Sequence, residues 1–154
     1  MKNSWRKKDF IINFTHPSLS EEDMKILHFE DDVYKHYDIA KAVEAAGSHE
    51  VIWVRNVEDG FARIREAERE GSPFQVIITD MHFPLSDGGE DSIRAGEEVL
   101  DGLEKRGLTI PVIICSSMNI RPSRAYGSVW YSKISDWEEE LAAMIRELQR
   151  RAGN

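Results

Sequence analysis

The sequence has a single cysteine, Cys115, and no apolar run that approaches the roughly 20 residues needed to cross a bilayer. One cysteine excludes an internal disulfide and fits a reducing cytoplasm, so we expect a cytoplasmic protein. The apolar run Phe10-Ile11-Ile12 near the N-terminus is too short for the core of a secretory signal.

The sequence also lacks a surplus of basic residues. It has 20 Lys and Arg against 28 Asp and Glu, which gives a formal net charge of -8. Phosphate binding needs clustered Lys and Arg, so this balance disfavours direct binding to nucleic acid or to an anionic membrane. An acidic surplus around a cleft would suit a divalent cation instead.

What the chain does have is a regular alternation of strand-like and helix-like patterns over 154 residues. Five strand-helix repeats of this kind predict one α/β domain with a parallel sheet and helices on both faces. The strands are predicted at about 25–29, 51–54, 76–80, 111–115 and 128–132.

Helical periodicity between the strands predicts the inner faces of the helices. The first helix is expected to bury Val33, Tyr37, Ala40 and Val43. The second should begin at the N-cap Asn56 and turn Phe61 and Ile64 inward. Ile93 is expected to open the inner stripe of the third helix, which continues with Gly96, Val99, Leu100 and Leu103. Ser135 and Glu138 predict a capping box for the last helix.

The interval between the last two strands breaks this rhythm. Only a turn or two of helix fits between Ser117 and Ser128, and Pro122 and Gly127 oppose even that. We therefore expect the fourth helix to be shortened or missing.

The domain is expected to span residues 24–150, with residues 1–23 as an N-terminal extension and 151–154 as a tail. The extension is interpreted as a flexible or loosely docked arm. The alternative is a functional segment that packs Phe10, Ile11, Ile12 and Phe14 on the sheet edge or on a partner.

Four of the predicted strands end in residues that can carry chemistry. Glu30-Asp31-Asp32 follows the first strand, Asp80 the third, Ser116-Ser117 the fourth, and Lys133 the fifth. Open α/β sheets place their ligands at the carboxyl ends of their strands, so we expect these groups to converge. Taken separately they have simpler readings, as a solvated helix turn, a backbone hydrogen-bond partner and a surface lysine.

Together these groups suit phosphoryl transfer. Several carboxylates cannot all remain ionised without a counter-charge, and Mg²⁺ prefers oxygen ligands. Lys133 could bind a phosphate as a point charge, and Ser116 could donate a hydrogen bond to a phosphoryl oxygen. Asp80 could then attack a phosphoryl donor and form an aspartyl phosphate.

The same segments resemble the receiver domain of two-component response regulators. The resemblance covers roughly residues 24–150 and is carried by the four motifs Lys25–Asp32, Ile77–Gly88, Pro111–Ser117 and Trp130–Lys133. It implies a flavodoxin-like (βα)5 sandwich with a parallel sheet of order 2-1-3-4-5.

The resemblance also implies roles for individual residues. Asp80 would be the phosphoacceptor, with Lys133 and Ser116 as its catalytic partners. Mg²⁺ would be held by Glu30, Asp31, Asp80 and the backbone carbonyl of His82. Ser116 and Trp130 would form the switch.

The implied function is that of a stand-alone phosphoacceptor. It would take its phosphoryl group from a histidine kinase or phosphotransfer protein and act on a downstream protein by contact or by phosphorelay. It would not be an enzyme beyond catalysing its own phosphorylation and dephosphorylation.

Some features depart from the receiver pattern and support other readings. Ile134 stands where receivers usually have proline, and residues 88 to about 95 look inserted beside the acceptor. These features and the curtailed fourth helix favour the alternative of an atypical receiver that acts as a phosphorylation-independent interaction module. A Mg²⁺-dependent phosphohydrolase is a third hypothesis, disfavoured because His82 stands where such enzymes commonly have a second acid.

Overall fold

A computed structural model of the chain describes residues 23–153. Seven strands occur in this range: β1 (Lys25–Phe29), β2 (Glu50–Val54), β3 (Val76–Thr79), β4 (Phe83–Pro84), β5 (Asp91–Ser92), β6 (Val112–Ser116) and β7 (Gly127–Trp130). The four helices there are α1 (Val33–Glu44), α2 (Val57–Arg69), α3 (Ala95–Lys105) and α4 (Trp137–Ala152). No helix in this range is long and apolar enough to span a membrane.

Five of the strands form one parallel sheet in the order β2-β1-β3-β6-β7. Counted along the chain without the two short strands, this is the predicted order 2-1-3-4-5. The flavodoxin-like fold class is therefore confirmed. The N-terminal extension lies almost entirely outside the described residues, so that interpretation stays a prediction.

The sheet is covered on both faces because each strand turns alternate residues to opposite sides. One face packs Leu27, Phe29 and Ile77 against α2 and α3, and includes the predicted inward residues Phe61 and Ile64. The other packs Ile26 and Ile78 against α1 and α4. Burial on both faces explains why these strands are continuous apolar runs.

The prediction that the fourth helix is shortened or missing is also confirmed, since residues 117–126, between the last two sheet strands, contain no helix. Arg124 ties this segment to α3. Its guanidinium lies 2.7 Å from Asp101, 2.9 Å from Glu97 and 3.5 Å from Glu104.

The inner face predicted for the first helix was right at Val43, which is buried, but wrong at Tyr37. Tyr37 is 58% exposed, whereas Lys35 and His36 are buried together with Ile39, Ala42 and Val43. The apolar stripe was misread because two of the buried positions carry polar side chains.

Two further local predictions were wrong. Ile93 is 76% exposed and precedes α3, which begins at Ala95. The capping box predicted for the last helix is absent, and the hydroxyl of Ser135 donates to the carbonyl of Trp130 at 2.5 Å. Asp136 occupies the N-cap position, and its side chain makes no capping hydrogen bond.

Candidate functional site

The site lies at the carboxyl edge of the sheet, where β1, β3 and β6 end side by side. Phe29 is in register with Thr79, and Thr79 with Ile114. Glu30 and Asp80 each follow directly from their strand, so the parallel register brings the two carboxylates together.

Three acidic residues form the centre of the site. Ligand oxygens of Glu30, Asp31 and Asp80 all lie within 4.8 Å of one another. Glu30 is buried, while Asp31 and Asp80 are partly exposed and can be reached from solvent. Carboxylate oxygens are the donors that Mg²⁺ and Mn²⁺ prefer, so the residues present fit a hard divalent cation.

The crowding of these carboxylates is visible in their electrostatics. Burial, with a smaller contribution from the charge of Asp80, raises the pKa of Glu30 to about 7, even though Lys35 acts in the opposite direction. Burial also raises the pKa of Asp31, and the neighbouring carboxylate of Asp91 adds to that rise. A bound cation would relieve both effects by stabilising the ionised forms.

The backbone holds Asp80 in place. Its N–H donates to the carbonyl of Phe29 at 3.2 Å, and its Oδ1 accepts from the N–H of Met81 at 2.6 Å. The Thr79 hydroxyl donates to the Asp80 carbonyl at 2.7 Å. Asp80 is thus fixed at the strand end, with Oδ1 of its carboxylate held by the backbone.

The fold that carries this site is similar to solved structures of response regulators. The receiver domain of the Francisella response regulator 1452 aligns with a TM-score of 0.62 at 20% identity, over 84% of this chain and 98% of that one. The phosphorylated cyanobacterial phytochrome response regulator RcpA aligns at 0.58 and 20% identity, over 83% and 92%. The Mn²⁺-bound form of response regulator Rcp1 aligns at 0.57 and 20% identity, over 82% and 91%.

The chain has the fold of a response-regulator receiver domain. No protein-family model matches the sequence, and no curated protein is significantly similar to it. The resemblance to receiver domains is thus one of structure: it covers most of the chain, although sequence identity is only 20%.

On this receiver fold, Ser116 stands at the expected strand end. It is buried, and its Oγ accepts from the N–H of Met118 at 3.1 Å. Trp130 is half-buried, and its indole N–H donates to the carbonyl of Ser117 at 3.0 Å. The two predicted switch residues thus lie at the ends of the neighbouring strands β6 and β7.

Among the described residues, the ion-pair partner of Glu30 and Asp80 is Lys35 and not Lys133. Lys133 is exposed, takes part in none of the ion pairs found within residues 23–153, and lines a surface cavity of about 680 Å³ with Asp38, Lys41 and Trp137. His82 is half-buried just after Met81 in the loop that follows β3. The roles assigned to these residues stay predictions, as does that of Asp80 as the phosphoacceptor.

The cation that does lie beside Asp80 is Lys35, which sequence reasoning missed. Its ammonium lies 3.1 Å from Oε1 of Glu30 and 3.1 Å from Oδ2 of Asp80, and its side chain is 8% exposed. Burial opposes its charge, but the two carboxylates outweigh that effect and raise its pKa. The side chain of Asp32 caps α1 by accepting hydrogen bonds from the backbone N–H groups of Tyr34 and Lys35.

Asp91 was also missed. It belongs to a small antiparallel sheet in which Phe83 pairs with Ser92 and Pro84 with Asp91. The second strand of this hairpin lies in the segment that looks inserted in the sequence, and it brings a fourth carboxylate next to Asp31. Two-residue strands leave no periodic signal, so the sequence could indicate the insertion but not its shape.

An aromatic group supports the other side of the cluster. The indole N–H of Trp53 donates to the carbonyl of Glu30 at 2.6 Å, and its ring stacks on His36 with centroids 4.2 Å apart. Arg55 donates to the carbonyl of Asp31 at 2.7 Å. The backbone of the Glu30-Asp31 turn is therefore held by side chains from β2 and from the residue that follows it.

Proposed function

We propose that this protein is a response-regulator receiver that accepts a phosphoryl group on Asp80 from a histidine kinase or phosphotransfer protein. The observation that carries the proposal is the cluster of Glu30, Asp31 and Asp80 within 4.8 Å at the carboxyl edge of a receiver fold. We also propose a cytoplasmic location, as this role requires, and output by contact with a downstream protein or by phosphorelay.

The chemistry proposed for this site is a displacement at phosphorus. A carboxylate oxygen of Asp80 forms a bond to phosphorus while the bond to the donor breaks, and the donor leaves with the electron pair and takes up a proton from solvent. Glu30, Asp31, Asp80 and the carbonyl of His82 would hold Mg²⁺. When bound, that ion neutralises charge on the transferring group.

The chain's own groups would position the acceptor. The backbone N–H of Met81 holds one carboxylate oxygen of Asp80, and burial of Glu30 excludes water from one side of the cluster. The hydroxyl of Ser116 would donate a hydrogen bond to a phosphoryl oxygen, and Lys133 would bind the phosphate as a point charge. Trp130 would respond from the end of β7.

The test is intact-mass spectrometry after incubation with acetyl phosphate and Mg²⁺. We expect one phosphoryl adduct on the wild type and none on Asp80→Asn, because the substitution removes the nucleophilic oxygen. Removal of Mg²⁺ with EDTA should also abolish the adduct. Asp87→Asn, a neutralised exposed acid in the loop after Asp80, is the matched control and should be labelled like the wild type.

An adduct that survives both Asp80→Asn and chelation would contradict the proposal. We also propose that the chemistry stops at the protein's own phosphorylation and dephosphorylation. Multi-turnover hydrolysis of small phosphate esters would contradict that restriction and favour a phosphohydrolase.

A second candidate function is a phosphorylation-independent interaction module. The position of Lys35, which already neutralises part of the acid cluster, favours it, as does the helix-free segment 117–126. This function predicts no adduct on the wild type and a partner complex of equal affinity for wild type and Asp80→Asn. A large difference in affinity would count against it.

A further inference from the structure

Lys35 lies in a place that local preferences oppose. It belongs to the first turn of α1, where the helix dipole disfavours a positive charge, and the first turn holds no acidic residue. Its side chain is also almost fully removed from water, which is costly for an ammonium group. Ion pairs with Glu30 and Asp80 offset these costs, together with the ring of Tyr131, whose centroid lies 5.3 Å from the ammonium, so the lysine and the acid cluster form one electrostatic unit.

The contacts of Lys35 overlap with those expected of a metal. Its Nζ is 3.1 Å from one oxygen of Glu30 and 3.1 Å from one oxygen of Asp80, and these are two of the three clustered acids. A divalent cation held by the same carboxylates must either displace the ammonium or bind beside it. Two like charges about 4 Å apart repel each other strongly at the effective dielectric constants typical of proteins.

We propose that Lys35 is a built-in counter-cation that competes with the divalent metal for Glu30 and Asp80. It keeps the acid cluster ordered without metal and thereby lowers the affinity of the site for Mg²⁺ or Mn²⁺. The inference rests on the proposed function, since it takes Glu30, Asp31 and Asp80 as the metal ligands. It gives the buried lysine on α1 a role distinct from that of Lys133.

The test measures Mn²⁺ binding to the full chain by isothermal titration calorimetry, with no phosphodonor present. Lys35→Met removes the charge but keeps an unbranched side chain, and we expect it to bind Mn²⁺ at least about tenfold more tightly than the wild type. Lys41→Met is the matched control, because Lys41 is an exposed lysine on the same helix. The control should bind within about twofold of the wild type, as expected for a charge screened by solvent.

Lys35→Arg separates charge from packing. It keeps the positive charge, so its Mn²⁺ affinity should not exceed that of the wild type. Equal or weaker binding by Lys35→Met would overturn the inference, as would a failure of both the wild type and Lys35→Met to bind Mn²⁺. Tight binding by Lys35→Met with no phosphoryl adduct on the wild type would uphold it while refuting the proposed function.

Loss of Lys35 could unfold the chain, because Glu30 would lose its buried partner. Lys35→Gln, whose amide can still donate to a carboxylate, is therefore measured in parallel under the same criteria. If both neutral variants are unfolded without metal, the test is whether they refold at saturating Mn²⁺, as measured by circular dichroism. Refolding would support the inference, since the metal then replaces the ammonium, and a chain that stays unfolded would overturn it.

Discussion

Two buried imidazoles, His28 and His36, lie close to the acid cluster and face each other. Their Nδ1 atoms are 2.9 Å apart, so one ring must donate and the other accept. Burial lowers the pKa of both rings, and for His28 the charges of His36 and Lys35 lower it further. The folded protein therefore favours the neutral form of both side chains.

The pair predicts a loss of stability in acid. The folded-state pKa values of the two histidines lie below the ordinary value of 6.5, so below that pH the unfolded chain binds more protons than the folded one. The contribution of the pair to the free energy of unfolding is therefore present above pH 6.5 and is lost as the pH falls. From about pH 7.5 to about pH 5.5, the free energy of unfolding of the wild type should fall relative to that of His28→Leu/His36→Phe. Urea denaturation at both pH values measures the difference.

The comparison with the double variant is needed because Glu30 acts in the opposite direction. Its pKa of about 7 exceeds its ordinary value of 4.5, so the folded state takes up a proton between these values and gains stability as the pH falls. Both proteins keep Glu30, so its contribution cancels in the difference. Parallel pH profiles for the two proteins would show that the histidines do not carry the effect.

At the scale of elements, the contact between α2 and β1 depends on Gly60. A Cβ added at this position would overlap the ring of Phe29, which is fully buried and cannot move aside. Gly102 on α3 approaches the ring of Phe61 in the same way. These glycines let two helices pack closely on the aromatic residues of one core.

Gly60→Ala should therefore destabilise the fold, although alanine favours a helix by about 1 kcal/mol. Overpacking against Phe29 should lower the free energy of unfolding by roughly 1–3 kcal/mol in urea denaturation. Gly153→Ala, where an added Cβ meets only ordinary contacts at 3.7 Å, is the control and should be neutral.

A double-mutant cycle makes this test specific. Phe29→Leu creates space opposite Gly60, so Gly60→Ala should cost less in that background than in the wild type. Equal costs in both backgrounds would mean that helix α2 and not the ring of Phe29 limits the position.

The order of elements was predictable, whereas part of the site was not. Apolar runs such as Ile77-Ile78 and the polar residues that end them indicate a buried parallel sheet and its functional edge directly. The place of Lys35 in the site was not predicted, because a lysine in a helical pattern is typical of a solvent-facing position. Tertiary packing turns its side chain towards Glu30. The hydrogen bond of the Ser135 hydroxyl was not predicted for a similar reason, since its acceptor is the carbonyl of Trp130 at the end of β7.

At the scale of the whole molecule, metal binding should increase the stability of the folded state. A ligand that binds only the folded state stabilises it by about 2.7 kcal/mol when its concentration is 100 times its dissociation constant. Mg²⁺ should therefore raise the melting temperature of the wild type, and EDTA should reverse the change. Differential scanning calorimetry with and without Mg²⁺ measures it.

Asp80→Asn should show a smaller rise, because one of the three clustered carboxylates is lost, whereas Asp87→Asn should respond like the wild type. A rise of the same size in Asp80→Asn would place the stabilising ion somewhere other than the acid cluster.

The position of Trp53 makes it an intrinsic fluorescence probe of the acid cluster. Its indole is hydrogen-bonded to the carbonyl of Glu30 and stacked on His36, so a change in charge at that turn alters the emission of this ring. The chain has three other tryptophans, Trp5, Trp130 and Trp137, and replacing them with phenylalanine would leave a single emitter beside the acid cluster. Occupancy of the site could then be followed continuously in a fluorimeter, without a label and at low protein concentration.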